Sequence, residues 1–264
     1  MVMAKDMGAT EENHILPDVR KIKISDVIVA LKGGIADFNQ KPTHYLFLII
    51  TYPILMILIA RTAAGYDVLP MLFPIIAGST LLGPVAACGM YELSRRMETG
   101  QDTRWTHVFD VFKSPSILAI ITLGVILGSI FIMWLAASEM IYAHFFGNAV
   151  PSSIGGFIED VLTTSAGWGM IVAGVGVGFI FAAIVLTISV VSFPYLLDHK
   201  SGPMIALMVS VKAVAANPKP MAFWGLIVAV SLFLGALPAF LGLAVIMPVL
   251  GHATWHLYRK VVVS

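Results

Sequence analysis

The chain has 264 residues, of which 58% are hydrophobic and 12% charged, with a formal net charge of +1. An average soluble domain is roughly 25% charged, so the apolar excess is too large for one water-soluble core, and near-neutrality argues against nucleic acid or another polyanionic partner. The single cysteine, Cys88, excludes an intrachain disulfide or a thiolate metal cluster.

Residues 1–23 mix Gly, Asn, Pro and both signs of charge without a period, which predicts a flexible cytosolic tail. Asp6, Glu11, Glu12 and Asp18 stand where a secretory signal would be basic and apolar. From Ser25 onward, Val27, Ile28, Leu31, Ile35 and Phe38 recur at three- and four-residue spacing, the pattern of a helix lying in the membrane interface. Gly33 and Gly34 weaken that helix, so it is expected to form only when docked.

Asn39-Gln40-Lys41-Pro42 then launches a long apolar run, broken by charge and glycine between Arg61 and Asp67, which predicts two spans at about 43–61 and 69–93. Pro70, Pro74 and Pro84 predict kinks in the second, which lipid tolerates only inside a bundle. Trp105 to Phe112 is a second amphipathic piece, with Trp105, Val108, Phe109 and Phe112 on one face. Lys113-Ser114-Pro115 opens a span at about 116–137. The stretch 139–167 contains no Lys or Arg and is expected outside, with a short interfacial helix near 154–162. A fourth span follows at about 169–196, bending near Pro194. Met204 to Ala216 is the third amphipathic piece, and Asn217-Pro218-Lys219-Pro220 repeats the first entry. The uncharged run after it would rise ~60 Å as one helix, twice the hydrocarbon thickness. A hairpin at Gly235-Ala236-Leu237-Pro238 divides it into two spans.

The expected fold is therefore an all-α polytopic membrane protein. It has about six transmembrane helices in three parallel two-helix cassettes, each preceded by an amphipathic interfacial helix. The cassettes cover about 24–96, 104–200 and 204–260 of a single membrane domain, 24–260. All of the 16 Lys and Arg residues except Arg61 fall on one side of that map, which puts both termini in the cytoplasm.

Glycines four apart, Gly124 with Gly128 and Gly174 with Gly178, are expected to receive neighbouring helices, while the lone Gly225 is expected to face lipid. The denser series Gly174, Gly176, Gly178 lies within a span and so is not a dinucleotide fingerprint. His252 and His256 share a helix face, as metal or haem ligands would, but the other histidines fall at interfaces, so polar anchoring is the simpler role. Glu139, His144, Glu159 and Asp160 read as solvated loop charges rather than a cation site. No catalytic, cofactor or metal motif is expected, and the spans hold almost no ionisable side chain at depth. Glu92, Arg95, Asp198, Lys200, His256 and Arg259 occupy matching cytoplasmic ends of three spans, where a mixed-charge collar or simple headgroup anchoring would place them.

The segments Ile35-Ala36-Asp37-Phe38-Asn39-x-x-Pro42 and Gly83-Pro84-x-x-Ala87-x-Gly89-x-Tyr91-Glu92-x-Ser94-Arg95-Arg96, with Trp105 beyond, resemble the bacterial predicted integral membrane proteins grouped as DUF2189. The resemblance would span about 24–260. It implies a bacterial inner-membrane protein of several spans and carries over no activity, cofactor or site. Two classes of function then compete: a non-enzymatic scaffold or accessory subunit of an envelope or respiratory complex, and a transporter or channel for a small or amphiphilic solute. The expected partners are the lipid bilayer and other membrane proteins.

Overall fold

A computed structural model describes residues 16–41, 57, 61, 65–147, 149–238 and 240–263. Among these the regular structure is helical, with one isolated antiparallel bridge between Val19 and Val262. The helices are α1 (Ile24–Gln40), α2 (Leu69–Ser79), α3 (Gly83–Glu98), α4 (Ile117–Phe146), α5 (Ile154–Thr163), α6 (Ser165–Ser189), α7 (Ser192–Asp198), α8 (Pro203–Ala216), α9 (Pro218–Ala236) and α10 (Leu243–Val261). A 3-10 helix, Trp105–Lys113, joins α3 to α4.

Four stretches, Tyr66–Glu98, Ile117–Phe146, Ser165–Asp198 and Pro218–Ala236, are long and apolar enough to cross a membrane. They match four of the six expected spans. The expected span at 43–61 falls almost wholly outside the described residues. The expected last span corresponds to α10, which is not among the four: its second half carries His252, His256, Arg259 and Lys260, and it is buried between α1 and α3. In the hairpin before it Gly235 and Gly242 let the two chain directions touch.

Prolines decide where the long stretches break. A proline ring collides with the carbonyl four residues earlier, and for Pro84 and Pro194 that residue is Thr80 and Val190. The first stretch narrows to a 3-10 turn at Thr80–Leu82, and the third interrupts at Val190 and Val191. The bend expected near Pro194 thus lies one turn before it. Ser210 of α8 mends this break, donating to Thr187 O (2.8 Å) and accepting from Val191 N (3.2 Å).

Small residues decide where helices meet. A Cβ on Gly34 would strike the backbone nitrogen of Ala253, and one on Gly33 would lie 2.8 Å from the His256 ring, so α1 and α10 cross almost backbone to backbone. Gly251 likewise makes room for Met90 of α3, which a Cβ there would approach to 2.8 Å. The Trp134 indole is wedged between Gly78 of α2 and Gly178 of α6.

Several local expectations change. The buried face of α1 is Val27, Ala30, Gly34 and Asp37, whereas Ile28 and Ile35, expected on the docked face, are exposed. The crossing demands small side chains, so the bulky stripe turns outward. In the 3-10 helix three residues make a turn; Val111 is buried and Val108 rests on Gly89, while Trp105, Phe109 and Phe112 point out. The helix expected to end at 137 runs to Phe146, so Glu139, Tyr142 and His144 sit on its last turns. Residues 16–23, assigned to the flexible tail, are pinned instead. Arg20 N donates to Val261 O (2.8 Å), and buried Asn217 accepts from Ile22 N (2.7 Å) and donates to Arg20 O (2.9 Å). The rest of the expected tail, 1–15, lies outside the described residues.

Gly34→Ala should lower the melting temperature of the detergent-purified protein, because overpacking a filled contact costs about 1–3 kcal/mol. Gly128→Ala, where a Cβ meets nothing within 4 Å among the described residues, should leave it unchanged or raise it. Equal melting temperatures for the two variants would mean that α1 does not cross α10 this closely.

Candidate functional site

The α1–α10 crossing brings Asp37 into a buried polar chain. Ser94 Oγ of α3 donates to Asp37 Oδ2 (2.6 Å), and His256 Nε2 of α10 donates to the same oxygen (2.9 Å). Ser94 Oγ also lies 2.8 Å from His252 Nδ1. A serine has one proton, and the carboxylate takes it, so His252 Nδ1–H is the donor in this last bond. The second ring nitrogen, His252 Nε2, is buried and has no hydrogen-bond partner among the described residues.

Burial pushes the Asp37 carboxyl up, but the hydrogen bonds from His256 and Ser94, with the nearby imidazoles, outweigh it and hold the group below the usual carboxylate range. Asp37 is therefore ionised at neutral pH. A cleft of about 330 Å³ opens beside it, bounded by Asp37, Gln40, Ser94, Met97, Glu98, His256 and Arg259.

A serine, a histidine and an aspartate in contact invite comparison with a hydrolytic triad. In a triad the carboxylate orients the histidine from its far nitrogen and leaves the serine free to attack. Here Asp37 holds the serine, Ser94 is 1% exposed, and His252 is fully buried. The arrangement locks three helices together and presents no nucleophile. Among the described residues no group of three His, Cys, Asp or Glu side chains is placed to hold a metal ion.

A second cluster joins the ends of α3, α7 and α10. Arg259 pairs with Asp198 (3.1 Å) and with Glu98 (3.0 Å); Tyr258 donates to Asp198 (2.7 Å), and Trp255 Nε1 donates to Glu98 (3.0 Å). A third joins α3 to the 3-10 helix. Buried Glu92 takes both Arg95 and Arg96 (2.8 Å each), and Arg96 reaches Asp110 (2.8 Å). Asp110 also accepts from Lys113 and His107, which hold its carboxyl down at about 2.

Of the six collar candidates, Asp198 and Arg259 do meet across helices. Glu92 and Arg95 pair with each other on one helix, His256 joins Asp37, and Lys200 is in none of these clusters. Nothing in the local sequence marks Glu98, Asp37 and Ser94 as partners in these clusters. Asp37 and Ser94 stand within the stretches that carry the family resemblance, yet only the crossing brings them together. Of the glycine candidates, a Cβ on Gly178 would lie 3.2 Å from Trp134 and one on Gly124 3.6 Å from Val85, while a Cβ on Gly128 or Gly174 would meet no atom within 4 Å among the described residues. Gly225, expected to face lipid, instead faces Leu186, which a Cβ there would approach to 3.0 Å.

A family model described as "Predicted integral membrane protein (DUF2189)" matches residues 72–198. The resemblance read from the sequence holds over that stretch, which is narrower than the 24–260 expected. No curated protein and no solved structure matches the chain. With its several long apolar helices, the protein is a multi-span integral membrane protein.

An aspartate whose pKa is lowered by folding contributes stability that is present above its unfolded value, about 4, and lost as pH falls through the lower folded value. Asp37→Asn should therefore destabilise the protein at pH 7 by on the order of 3 kcal/mol, as for one removed partner of a buried pair. The gap to wild type should shrink as pH falls from 7 to below about 4. Thermal melts in detergent across this range measure it, and a gap independent of pH would show that the Asp37 charge is not the cause.

Proposed function

We propose that this multi-span membrane protein is a non-enzymatic scaffold or accessory subunit of an envelope or respiratory complex in a bacterial inner membrane. The observation that supports this most is the behaviour of the hydroxyls in the apolar helices. Thr122, Ser129, Ser138, Thr187 and Ser189 each donate to the carbonyl four residues earlier in their own helix. A hydroxyl engaged in this way has no proton left to donate to a polar solute. The ion-paired clusters are similarly closed on one another and tie α1, α3, α7 and α10 into one rigid end.

A transporter or channel is the alternative, and the cleft beside Asp37 is the feature that favours it. Its position at one end of the helices, among groups already paired, suits a fixed polar cap better than a solute site at the midplane. The three-cassette, six-span topology with both termini cytoplasmic belongs to the same proposal, and it places the clusters at the cytoplasmic face.

Affinity purification of the full chain from native membranes in mild detergent should bring down stoichiometric membrane-protein partners. Recovery of the protein alone, together with solute flux through it in liposomes, would favour transport and overturn the scaffold.

Orientation is tested separately in a Cys88→Ala background. A Ser152→Cys variant should react with an impermeant thiol reagent added outside intact cells, and Ser201→Cys should not. The reverse pattern would invert the topology.

A further inference from the structure

At the end of the bundle opposite the ion-paired clusters, a cavity of about 370 Å³ lies among α2, α4, α5 and α6. Its walls include Phe73 and Pro74, Trp134 and Tyr142, Phe157, and Gly174. It stays open because Gly174 contributes no side chain: a Cβ there meets no atom within 4 Å among the described residues.

The polar groups in its wall are already paired. Trp134 Nε1 donates to Pro74 O (2.8 Å), Ser138 Oγ to Trp134 O (2.9 Å), and Tyr142 OH to Ala149 O (2.7 Å). Water needs two to four partners to settle in a cavity, and apolar cavities less than half this size stay dry and accept hydrocarbon guests. The space is thus suited to an apolar occupant.

The wall also opens sideways. Phe73 and Val175 line the cavity and are 70% and 64% exposed, so it opens at the outer side of the apolar helices α2 and α6. The α6 positions in the wall, Met170 to Val175, stand five to ten residues from the helix start, about 8–15 Å along it. That is acyl-chain depth rather than headgroup depth. A partner helix is too thick: at ~10 Å diameter and 5.4 Å pitch, one turn alone displaces about 400 Å³. A polymethylene chain is slender enough, and lipid surrounds the protein at solvent concentration, so even a weak site is filled.

We propose that this cavity binds one acyl chain of a phospholipid from the leaflet on the side of residues 139–167, entering past Phe73 and Val175 beneath α5. The site does not depend on the scaffold proposal, since a transporter would hold the same lipid.

The test uses the full chain in nanodiscs of phosphatidylcholine doped with an analogue carrying a diazirine midway along one acyl chain. After irradiation, adducts are mapped by peptide mass spectrometry. Wild type should carry adducts at Phe73, Trp134 or Met170. Gly174→Leu, which fills the cavity, should reduce these at least fivefold while leaving adducts at exposed Leu118 and Val125 unchanged. Ile171→Trp is a second filler for which the same loss is expected. The proposal is overturned if wild type is labelled only at Leu118 and Val125, or if cavity labelling survives both substitutions. It is also overturned if a free diazirine alkane labels the cavity and the phospholipid does not.

Discussion

The rest of the polar architecture depends on one steric fact, the near backbone-to-backbone crossing of α1 and α10 at Gly34 and Ala253. Only at that separation can the short Asp37 side chain, one turn beyond Gly34, reach Ser94 and His256 together. The same crossing fixes the rotation of α10. One side then presents His252 and Gly251 to α3, and its end carries Arg259 to Glu98 and Asp198. A helix that reads as an independent amphipathic element therefore acts as the clamp on the end of the chain. Its exposed Ile28 and Ile35 remain available to the membrane interface.

Backbone satisfaction governs the apolar part in the same way. In hydrocarbon a freed amide or carbonyl has no water to turn to, so each proline-induced break requires a local remedy. Ser210 supplies it at Val190–Val191, reaching across from α8, and the first stretch contracts into a 3-10 turn before Pro84. The hydroxyls elsewhere in the spans turn back onto their own helices. Among the described residues these hydroxyls have no proton left to donate to a solute, and the lateral surfaces of α4 and α6 are left to lipid or to other membrane helices.

The two ends of the molecule consequently differ in kind. One is sealed by paired charges over a small-residue crossing. The other is held by the Trp134 indole seated between Gly78 and Gly178, and it is capped by α5, in which no residue is buried. Glycine serves both ends for opposite reasons. Gly34 is occupied by the neighbouring backbone, whereas Gly174 keeps a space open.

By itself the sequence determined the membrane class, four of the spans, the hairpin before α10 and the short helix near 154–162. Each of these rests on local quantities: apolar run length, the absence of charge, and the turn chemistry of Gly and Pro. Of the prolines expected to bend the chain, Pro84 and Pro194 follow breaks, displaced to Thr80–Leu82 and Val190–Val191 by the collision with the carbonyl four residues earlier, whereas Pro70 and Pro74 stand within the continuous helix α2. The tertiary structure alone decided which face of α1 is buried, that residues 16–23 are pinned to the end of the chain, and which charges meet. Asp37 and His256 are 219 positions apart, as are Glu98 and Arg259 by 161. Spacing on a helix wheel says nothing about such pairs. The glycine pairs four apart show the same limit, because whether a Cβ finds a neighbour depends on what the rest of the chain brings to it.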